Sequence, residues 1–235
     1  RAYLTEFDAT EEDFAKVAVK NHQNGLLNPK AHLQKDITID DVMNSAVVAS
    51  PLKLYDCCPF SDGASSVVLC SEKFAKAHGG DYVEVIGSGR GGSPAALQGR
   101  EHMTTIPSTK IAAKAAYDMA GITAKDVDFA EVHDCFTIAE VVDTEDLGFF
   151  GKGQGIQAIR EDRTKLNSDI SINPSGGLKS KGHPIGATGV GQVVEVYDQL
   201  TGNAGARTVK DAKIGLTHNF GATGASCAVH VFQSV

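Results

Sequence analysis

The sequence lacks the features that mark membrane proteins and nucleic-acid-binding proteins. It contains no apolar run of about 18 residues, the length that a membrane-spanning helix needs, and we expect no membrane partner. Basic residues are not in excess, because the 235 residues carry a net charge of -7. That balance argues against a nucleic-acid partner, although an acidic protein can still hold a local basic pocket for a phosphorylated substrate.

Cysteine is scarce and scattered. The chain has five cysteines, an odd number, and only Cys57 and Cys58 are adjacent. No spacing of Cys and His is typical of a zinc site, so we predict no metal. Scattered thiols favour a reducing compartment over a disulfide framework, and we expect a cytoplasmic location.

The composition of the chain is that of a folded domain with a large core. Hydrophobic residues make up 42% of the chain and charged residues 22%, which is enough for one large domain or somewhat more. The chain begins with Arg1 rather than methionine and enters a helix almost at once. We therefore expect it to be a piece of a longer protein.

Hydrophobic periodicity and turn residues divide the chain into alternating helices and strands. Thr10, followed by three acidic residues, predicts an N-cap and an ordinary amphipathic helix that ends near Gly25. The β-branched content of residues 64–70 predicts a short, buried, central strand. The other predicted elements are short helices near 41–45 and over 156–159, longer helices over 71–78, 110–120, 136–147 and 190–200, strands over 82–89 and 127–132, and an antiparallel hairpin over 214–221 and 226–232. This order predicts an α/β domain with a mixed sheet.

A glycine-rich stretch over residues 173–189 leads into the last predicted helix. Its sequence is NPSGGLKSKGHPIGATG. Glycine permits positive φ and a close approach to a ligand, while Pro184 restricts His183 to extended conformations, so the imidazole is held on a stiff support. The stretch has neither a phosphate-loop ending nor a dinucleotide fingerprint. The alternative interpretation is a surface turn with an incidental histidine.

Three polar clusters lie at the ends of predicted strands or in loops. They are HDC at 133–135, GHP at 182–184 and HNFG at 218–221. Ligands of α/β proteins bind at such ends, and a thiol beside an imidazole can serve as an acid/base pair. Taken singly, each residue has a plainer interpretation, since a lone cysteine is often a small buried hydrophobe and a lone histidine is often structural.

Together the motifs HDCF at 133–136, GHP at 182–184 and NFGATG at 219–224 resemble the later active-site blocks of the thiolase superfamily. The similarity is to the branch of archaeal acetyl-CoA acetyltransferases and sterol-carrier-protein-type thiolases. SDGA at 61–64 resembles the end of that family's N-terminal half, so the resemblance covers essentially the whole chain. It implies a layered α-β-α-β-α fold with mixed five-stranded sheets. Residues 1–80 would then close an incomplete N-terminal half with a covering segment, and residues 81–235 would form the C-terminal half.

The resemblance implies a role for four residues in thioester chemistry. His183 would deprotonate a nucleophilic cysteine and help to bind the thioester oxygen, and His133 would be the second donor to that oxygen. Cys135 would take a proton from the acetyl methyl carbon and protonate the departing CoA sulfur. The backbone N–H of Gly221 would complete the oxyanion hole of the acyl-enzyme.

The resemblance also places the CoA arm and marks one departure from the larger thiolase branch. Phe136 and Pro184 would border the pantetheine arm of CoA. In the larger branch the acid/base cysteine stands at the position that Asn219 occupies here. Cys135 would supply that function in the branch that this chain resembles, with Asn219 remaining a candidate site residue.

The implied activity is acyl transfer between CoA thioesters without a bound cofactor. Two acetyl-CoA would condense to acetoacetyl-CoA and CoA, or the reverse thiolysis would occur, through an acyl-cysteine. Cys57, Cys58, Cys70 and Cys227 stand in no context that fits the nucleophile, so we expect it to lie upstream of this chain. A thiolase-like retro-aldolase acting on acyl-CoA side chains and a non-catalytic acyl-CoA-binding subunit are the alternatives. The family further implies a homodimer or tetramer, and some members associate with a small OB-fold partner.

Overall fold

A computed structural model describes residues 1–235, the whole of the chain. The helices are α1 Ala2–Glu6, α2 Glu11–Leu26, α3 Ile39–Met43, α4 Glu72–His78, α5 Pro107–Ala120, α6 Thr137–Asp146, α7 Gly155–Arg160, α8 Gly177–Ser180 and α9 Thr188–Leu200. The strands are β1 Val47–Ala49, β2 Leu52–Lys53, β3 Val83–Gly92, β4 Phe129–Glu131, β5 Ser171–Ile172, β6 Ile214–Gly221 and β7 Ser226–Ser234. None of the helices has the length and apolarity that crossing a bilayer requires.

The main sheet has five strands in the order β3-β7-β6-β4-β5. β4 lies parallel to both β5 and β6, while β7 lies antiparallel to β6 and β3. The mixed sheet and the β6–β7 hairpin predicted from the sequence are therefore confirmed. The other sheet consists of the short antiparallel pair β1 and β2.

Helices cover both faces of the main sheet. Along β4, Phe129 packs with Val196 of α9 on one face, and Ala130 belongs to the larger core cluster on the other. This larger cluster also takes in apolar side chains of α2, α5, α6 and α7. Because successive residues of a strand point to opposite faces, three layers result, helix on sheet on helix.

Close packing of α5 on β3 depends on small residues in both elements. β3 presents Gly87, Gly89 and Gly91 to α5, and a Cβ built on Gly89 would lie 2.0 Å from the carbonyl oxygen of Ala112. Alanines line the facing side of the helix, where Ala112 and Ala116 are fully buried. The helix backbone therefore rests directly on the strand backbone.

Helix α2 begins as predicted, but its polar side chains are not solvated as in an ordinary amphipathic helix. The Thr10 side chain accepts a hydrogen bond from Asp13 N–H, and Asp13 accepts one from Thr10 N–H, which completes a capping box. Lys20, Asn21 and Asn24 are buried. Lys20 Nζ donates to the carbonyl of Ile172 at 2.8 Å, and Asn24 Nδ2 donates to that of Asn173 at 2.9 Å. That face is buried because it bonds to Ile172 of β5 and to Asn173 at the start of the glycine-rich stretch.

The predicted central strand over 64–70 is not formed. These residues have no regular secondary structure and are mostly exposed, with Val68 90% accessible. A strand needs a hydrogen-bonded neighbour, and none of the seven strands of this chain pairs with the segment. Its β-branched side chains raised the propensity for a strand without supplying a partner.

Most other predicted elements are present within a few residues. α4, α5, α6 and α9 match the predicted helices, and Gly121 ends α5 in the left-handed conformation at φ 70°. α1, β1, β2 and β5 were not predicted, since each has five residues or fewer and too little periodicity to detect. The single turn α8 interrupts what the sequence indicated as a continuous loop.

Replacing Gly89 by alanine tests the close contact between β3 and α5. We expect Gly89→Ala to lower the free energy of unfolding by at least about 2 kcal/mol, because the added methyl group overlaps a helix carbonyl that cannot move independently. Ser88→Ala, on the exposed side of the same strand, should stay within about 0.5 kcal/mol of the parent. Urea unfolding measures both, and equal effects of the two substitutions would contradict the packing described here.

Candidate functional site

The carboxylate of Asp134 holds the turn after β4 against α2 and α8. Its oxygens accept hydrogen bonds from Asn21 Nδ2 at 2.7 Å and from the backbone N–H groups of Leu178 at 2.7 Å and Lys179 at 3.4 Å. Gly177 has φ 59°, and a Cβ there would lie 2.4 Å from an Asp134 oxygen. Glycine is thus required where the loop backbone meets the carboxylate.

Buried side chains also fix the start of the glycine-rich stretch to β4. Glu131 accepts hydrogen bonds from Ser175 N–H at 2.9 Å and Ser175 Oγ at 2.6 Å, and it pairs with Lys181 Nζ at 3.2 Å. Asn173 Oδ1 accepts from Val132 N–H at 2.9 Å. These contacts give a glycine-rich segment one conformation, since they replace the solvent that its polar groups would otherwise need.

His183 has a defined tautomer. The Thr188 hydroxyl donates to the carbonyl of Pro184 at 3.0 Å, so its oxygen accepts from His183 Nδ1–H at 2.7 Å. Nδ1 therefore carries the proton, and the lone pair of Nε2 is left for the site. Burial and the neighbouring Lys181 lower the pKa of His183, which keeps the ring neutral near pH 7. The backbone N–H of His183 donates to Ser61 Oγ at 3.1 Å.

His133 lies edge to face with His183. Their ring centroids are 5.0 Å apart at an interplanar angle of 88°, and the ring of Phe220 lies 4.6 Å from that of His133. His133 is only 6% exposed, and its Nδ1 has no hydrogen-bond partner. Burial and His183 lower the pKa of His133 to about 3, so the site contains two neutral imidazoles at neutral pH.

Cys135 follows His133 on the same turn and keeps its proton. Burial and, next, the Asp143 carboxyl raise the pKa of Cys135 to about 12, whereas Lys179 acts in the opposite direction. The Cys135 carbonyl accepts from Cys58 N–H at 2.9 Å and from Lys179 Nζ at 3.5 Å. The residue as a whole is half-buried, and its thiol is a weak acid.

The remaining predicted site residues lie around this group without all pointing into it. Asn219 Nδ2 donates to Gln192 Oε1 of α9 at 3.1 Å, on the face of β6 opposite the Phe220 ring. Gly221 ends β6 and is exposed, with open space above it. Phe136 is 41% exposed at the start of α6, and Pro184 is half-buried beside His183. The structure brings His133, His183 and Phe220 into contact, and Cys135 follows on the turn that carries His133, whereas Asn219 lies on the other face of β6.

A buried His218–Asp143 pair lies behind the site. His218 Nε2 is 2.9 Å from Thr109 Oγ1, and its Nδ1 is 3.6 Å from Asp143 Oδ2. Both side chains are inaccessible, and neither Asp143 oxygen has a hydrogen-bond partner. Burial and the carboxyls of Asp146, Asp134 and Glu140 raise the pKa of Asp143. Burial and His133 lower the pKa of His218 to about 3.

Sequence reasoning missed the residues that support the predicted ones. Asp134 lies inside the HDCF motif, but the motif assigns roles only to the residues beside it. Thr188 and Lys179 lie in the glycine-rich stretch and belong to no recognised pattern. Asp143 faces the core from α6, where a carboxylate looks like part of a solvated helix face. Only contacts between distant segments reveal their roles.

The site contains two neutral imidazoles, a protonated thiol and the open end of β6. No group of three or more His, Cys, Asp or Glu side chains is arranged to hold a metal ion. Neutral imidazoles can accept a proton or donate a single N–H, and a thiol can exchange one. The arrangement therefore suits proton transfer and stabilisation of a developing oxyanion.

Comparisons with known families match most of the chain. The family model described as "Thiolase C-terminal domain-like" matches residues 89–234. The one described as "Thiolase, N-terminal domain" matches residues 1–73. The matched ranges contain every candidate site residue named above.

Two curated relatives are similar over nearly the whole chain. An acetyl-CoA acetyltransferase of Methanothermobacter thermautotrophicus is 46% identical over 233 residues, which cover 99% of this chain and 61% of that protein. Sterol carrier protein 2 of Bos taurus is 37% identical over 230 residues, which cover 96% of this chain and 42% of that protein. The chain thus spans less than two thirds of the length of either relative.

A solved structure described as "Ltp2-ChsH2(DUF35) aldolase" superposes with a TM-score of 0.89 at 24% identity, covering 99% of this chain and 60% of that one. At this identity the likeness speaks for the fold alone. The α/β fold class with a mixed five-stranded sheet, predicted from the sequence, is confirmed.

Asp143→Asn tests the buried carboxyl behind the site. A carboxyl whose pKa is raised on folding stabilises the protein below its unfolded value of 3.8, and that contribution is lost as the pH rises toward the folded value. Asp143→Asn should therefore stabilise the protein more, relative to the parent, at pH 8 than at pH 5. Urea unfolding at both pH values checks this, with the exposed Asp81→Asn as the control. An equal effect of Asp143→Asn at both pH values would contradict it.

Proposed function

Because this chain belongs to the thiolase family, we propose that the protein containing it is an acyl-CoA:CoA acyltransferase. Two acetyl-CoA condense to acetoacetyl-CoA and CoA, or the reverse thiolysis takes place, and the CoA thioester is the substrate with no resident cofactor or metal. The observation that carries the proposal is the contact between His133 and His183, with ring centroids 5.0 Å apart, at a turn that also carries Cys135. The matching acetyl-CoA acetyltransferase supports it.

His183 acts first, through its free nitrogen. Nε2 takes the proton of a nucleophilic cysteine, and the sulfur attacks the carbonyl carbon of acetyl-CoA. The hydrogen bond of 2.7 Å between Nδ1 and the Thr188 hydroxyl supports this role, because it leaves Nε2 as the acceptor. His133, neutral and nearly buried, donates an N–H to the oxyanion of a bound thioester. The backbone N–H of Gly221 serves the oxyanion of the acyl-enzyme.

Cys135 moves the second proton. CoA leaves as a thiolate and takes the Cys135 proton, and the Cys135 thiolate then removes a proton from the methyl carbon of the second acetyl-CoA. The resulting carbanion attacks the acyl-cysteine, and the released cysteine sulfur recovers its proton from His183. Proton transfer by a positioned group of this kind contributes about 10²–10⁴ in rate. The raised pKa of Cys135 supports this acid/base role, because the thiol stays protonated until an anion forms beside it.

The nucleophile of this proposal is a cysteine outside the 235 residues. Residues 1–80 belong to the first half of the thiolase fold and residues 81–235 to the second, a division that the two matched ranges support. Exposed Phe136 and half-buried Pro184 flank the pantetheine arm, and Asn219 supports the site through Gln192 at 3.1 Å. A homo-oligomer and an association with a small OB-fold protein are further parts of the proposal.

The test is the intact mass of the full-length protein after brief incubation with acetyl-CoA. We expect a gain of one acetyl group, reversed by added CoA and slowed about 100-fold or more in His183→Ala, because the nucleophile then lacks its base. The exposed His102→Ala should behave as the parent does. The 235-residue chain alone should not be acetylated on any of its five cysteines. CoA binding without acetylation would refute acyl transfer and leave the retro-aldolase and acyl-CoA-binding alternatives.

A further inference from the structure

Lys179 is a buried cation without a carboxylate partner. Its side chain lies on α8 and is 1% exposed. Its ammonium donates to two backbone carbonyls, that of Asp56 and that of Cys135, the latter at 3.5 Å. Lys20, also buried, pairs instead with Glu140 at 2.8 Å. Burying an ammonium costs several kcal/mol, and two carbonyl dipoles offset only part of it. A methionine would fill the same space without that cost.

The two carbonyls belong to the two segments that meet at the site. Cys57 and Phe136 form an antiparallel bridge, and Cys58 N–H donates to the Cys135 carbonyl at 2.9 Å. The ammonium of Lys179 lies where these segments meet. A positive charge is thus enclosed beside the turn that carries the Cys135 thiol.

We propose that Lys179 is a positioning residue, whose enclosed ammonium joins the Asp56 and Cys135 carbonyls and stabilises the negative charge that Cys135 carries after giving up its proton. The proposal rests on the acid/base role of Cys135 in the proposed function. An enclosed cation acts strongly on a nearby thiolate because little solvent screens the charge.

The charges around Cys135 agree with this assignment. Asp143 on α6, Asp134 on the same turn and Cys58 on the facing segment all raise the pKa of Cys135, and Lys179 lowers it. The ammonium also lowers the pKa of Cys57 and Cys58, against the larger effect of burial. Burial lowers the pKa of Lys179 itself, while Asp134, Cys135, Cys58 and Asp56 raise it. On α2, burial and, to a lesser extent, Lys179 lower the pKa of His22.

The test is the pH dependence of Cys135 alkylation by iodoacetamide, followed by peptide mass mapping of the chain. Only the thiolate reacts, so the rate reports the ionisation of Cys135. In Lys179→Met we expect the midpoint of the profile to move to higher pH and the rate at pH 8.5 to fall about tenfold. Lys179→Arg keeps the charge and should keep the profile of the parent. The exposed Cys70 in the same samples is the internal control and should react equally in all variants.

The outcomes separate electrostatics from simple support. If Lys179 only ties the two segments together, Lys179→Met loosens them, and Cys135 reacts faster with an unchanged midpoint, which would overturn the proposal. If Lys179→Met does not fold, Lys179→Gln keeps one hydrogen bond without the charge and should show the same upward shift. Alkylation needs no acyl transfer. If the pH profile of Cys135 alkylation shifts in a protein that is not acetylated, the proposed function is refuted and the electrostatic role of Lys179 is retained.

Discussion

The carboxylate of Asp134 is the contact on which the arrangement of the site depends. It joins three segments that are distant in sequence: the turn after β4, Asn21 of α2 and the backbone of α8. Burial and, next, Glu140 raise the pKa of Asp134 to about 6, whereas Lys179 and the Leu178 N–H favour its ionised form, which is a strong acceptor. Without it, the turn that carries His133 would lose its hydrogen bonds to α8, in the stretch that carries His183. With it, the rings of His133 and His183 are held 5.0 Å apart.

The molecule uses two kinds of packing for two purposes. The main sheet and its helices are joined by apolar contacts, down to the backbone contact between β3 and α5. The glycine-rich stretch is held by hydrogen bonds of buried polar groups, among them Glu131, Asn173 and Asn24. Hydrogen bonds to buried charges define positions narrowly, because their partners must meet strict limits of distance and angle. The buried polar contacts of the glycine-rich stretch thus fix the tautomer of His183 and the direction in which its free nitrogen points.

The sequence predicted most secondary-structure elements but not the contacts between segments that are distant along the chain. Periodicity and capping identified α2, α5 and the β6–β7 hairpin, because those signals lie within each element. The strand over 64–70 was predicted wrongly, since its pairing depends on a neighbour that propensity does not report. His133, His183 and Cys135 could be proposed as neighbours from their motifs. The importance of Asp143 and of Lys179 could not be predicted, because it comes from burial and from contacts with distant segments.

The central claim is that Cys135 exchanges a proton with the methyl carbon of a bound acetyl thioester. The most direct measurement is the incorporation of deuterium into the methyl group of acetyl-CoA in D₂O, followed by mass spectrometry with the full-length protein. We predict that the parent protein catalyses the exchange and that Cys135→Ala loses it while still taking up one acetyl group. Exchange at the parental rate in Cys135→Ala would contradict the account, because another group would then be the base.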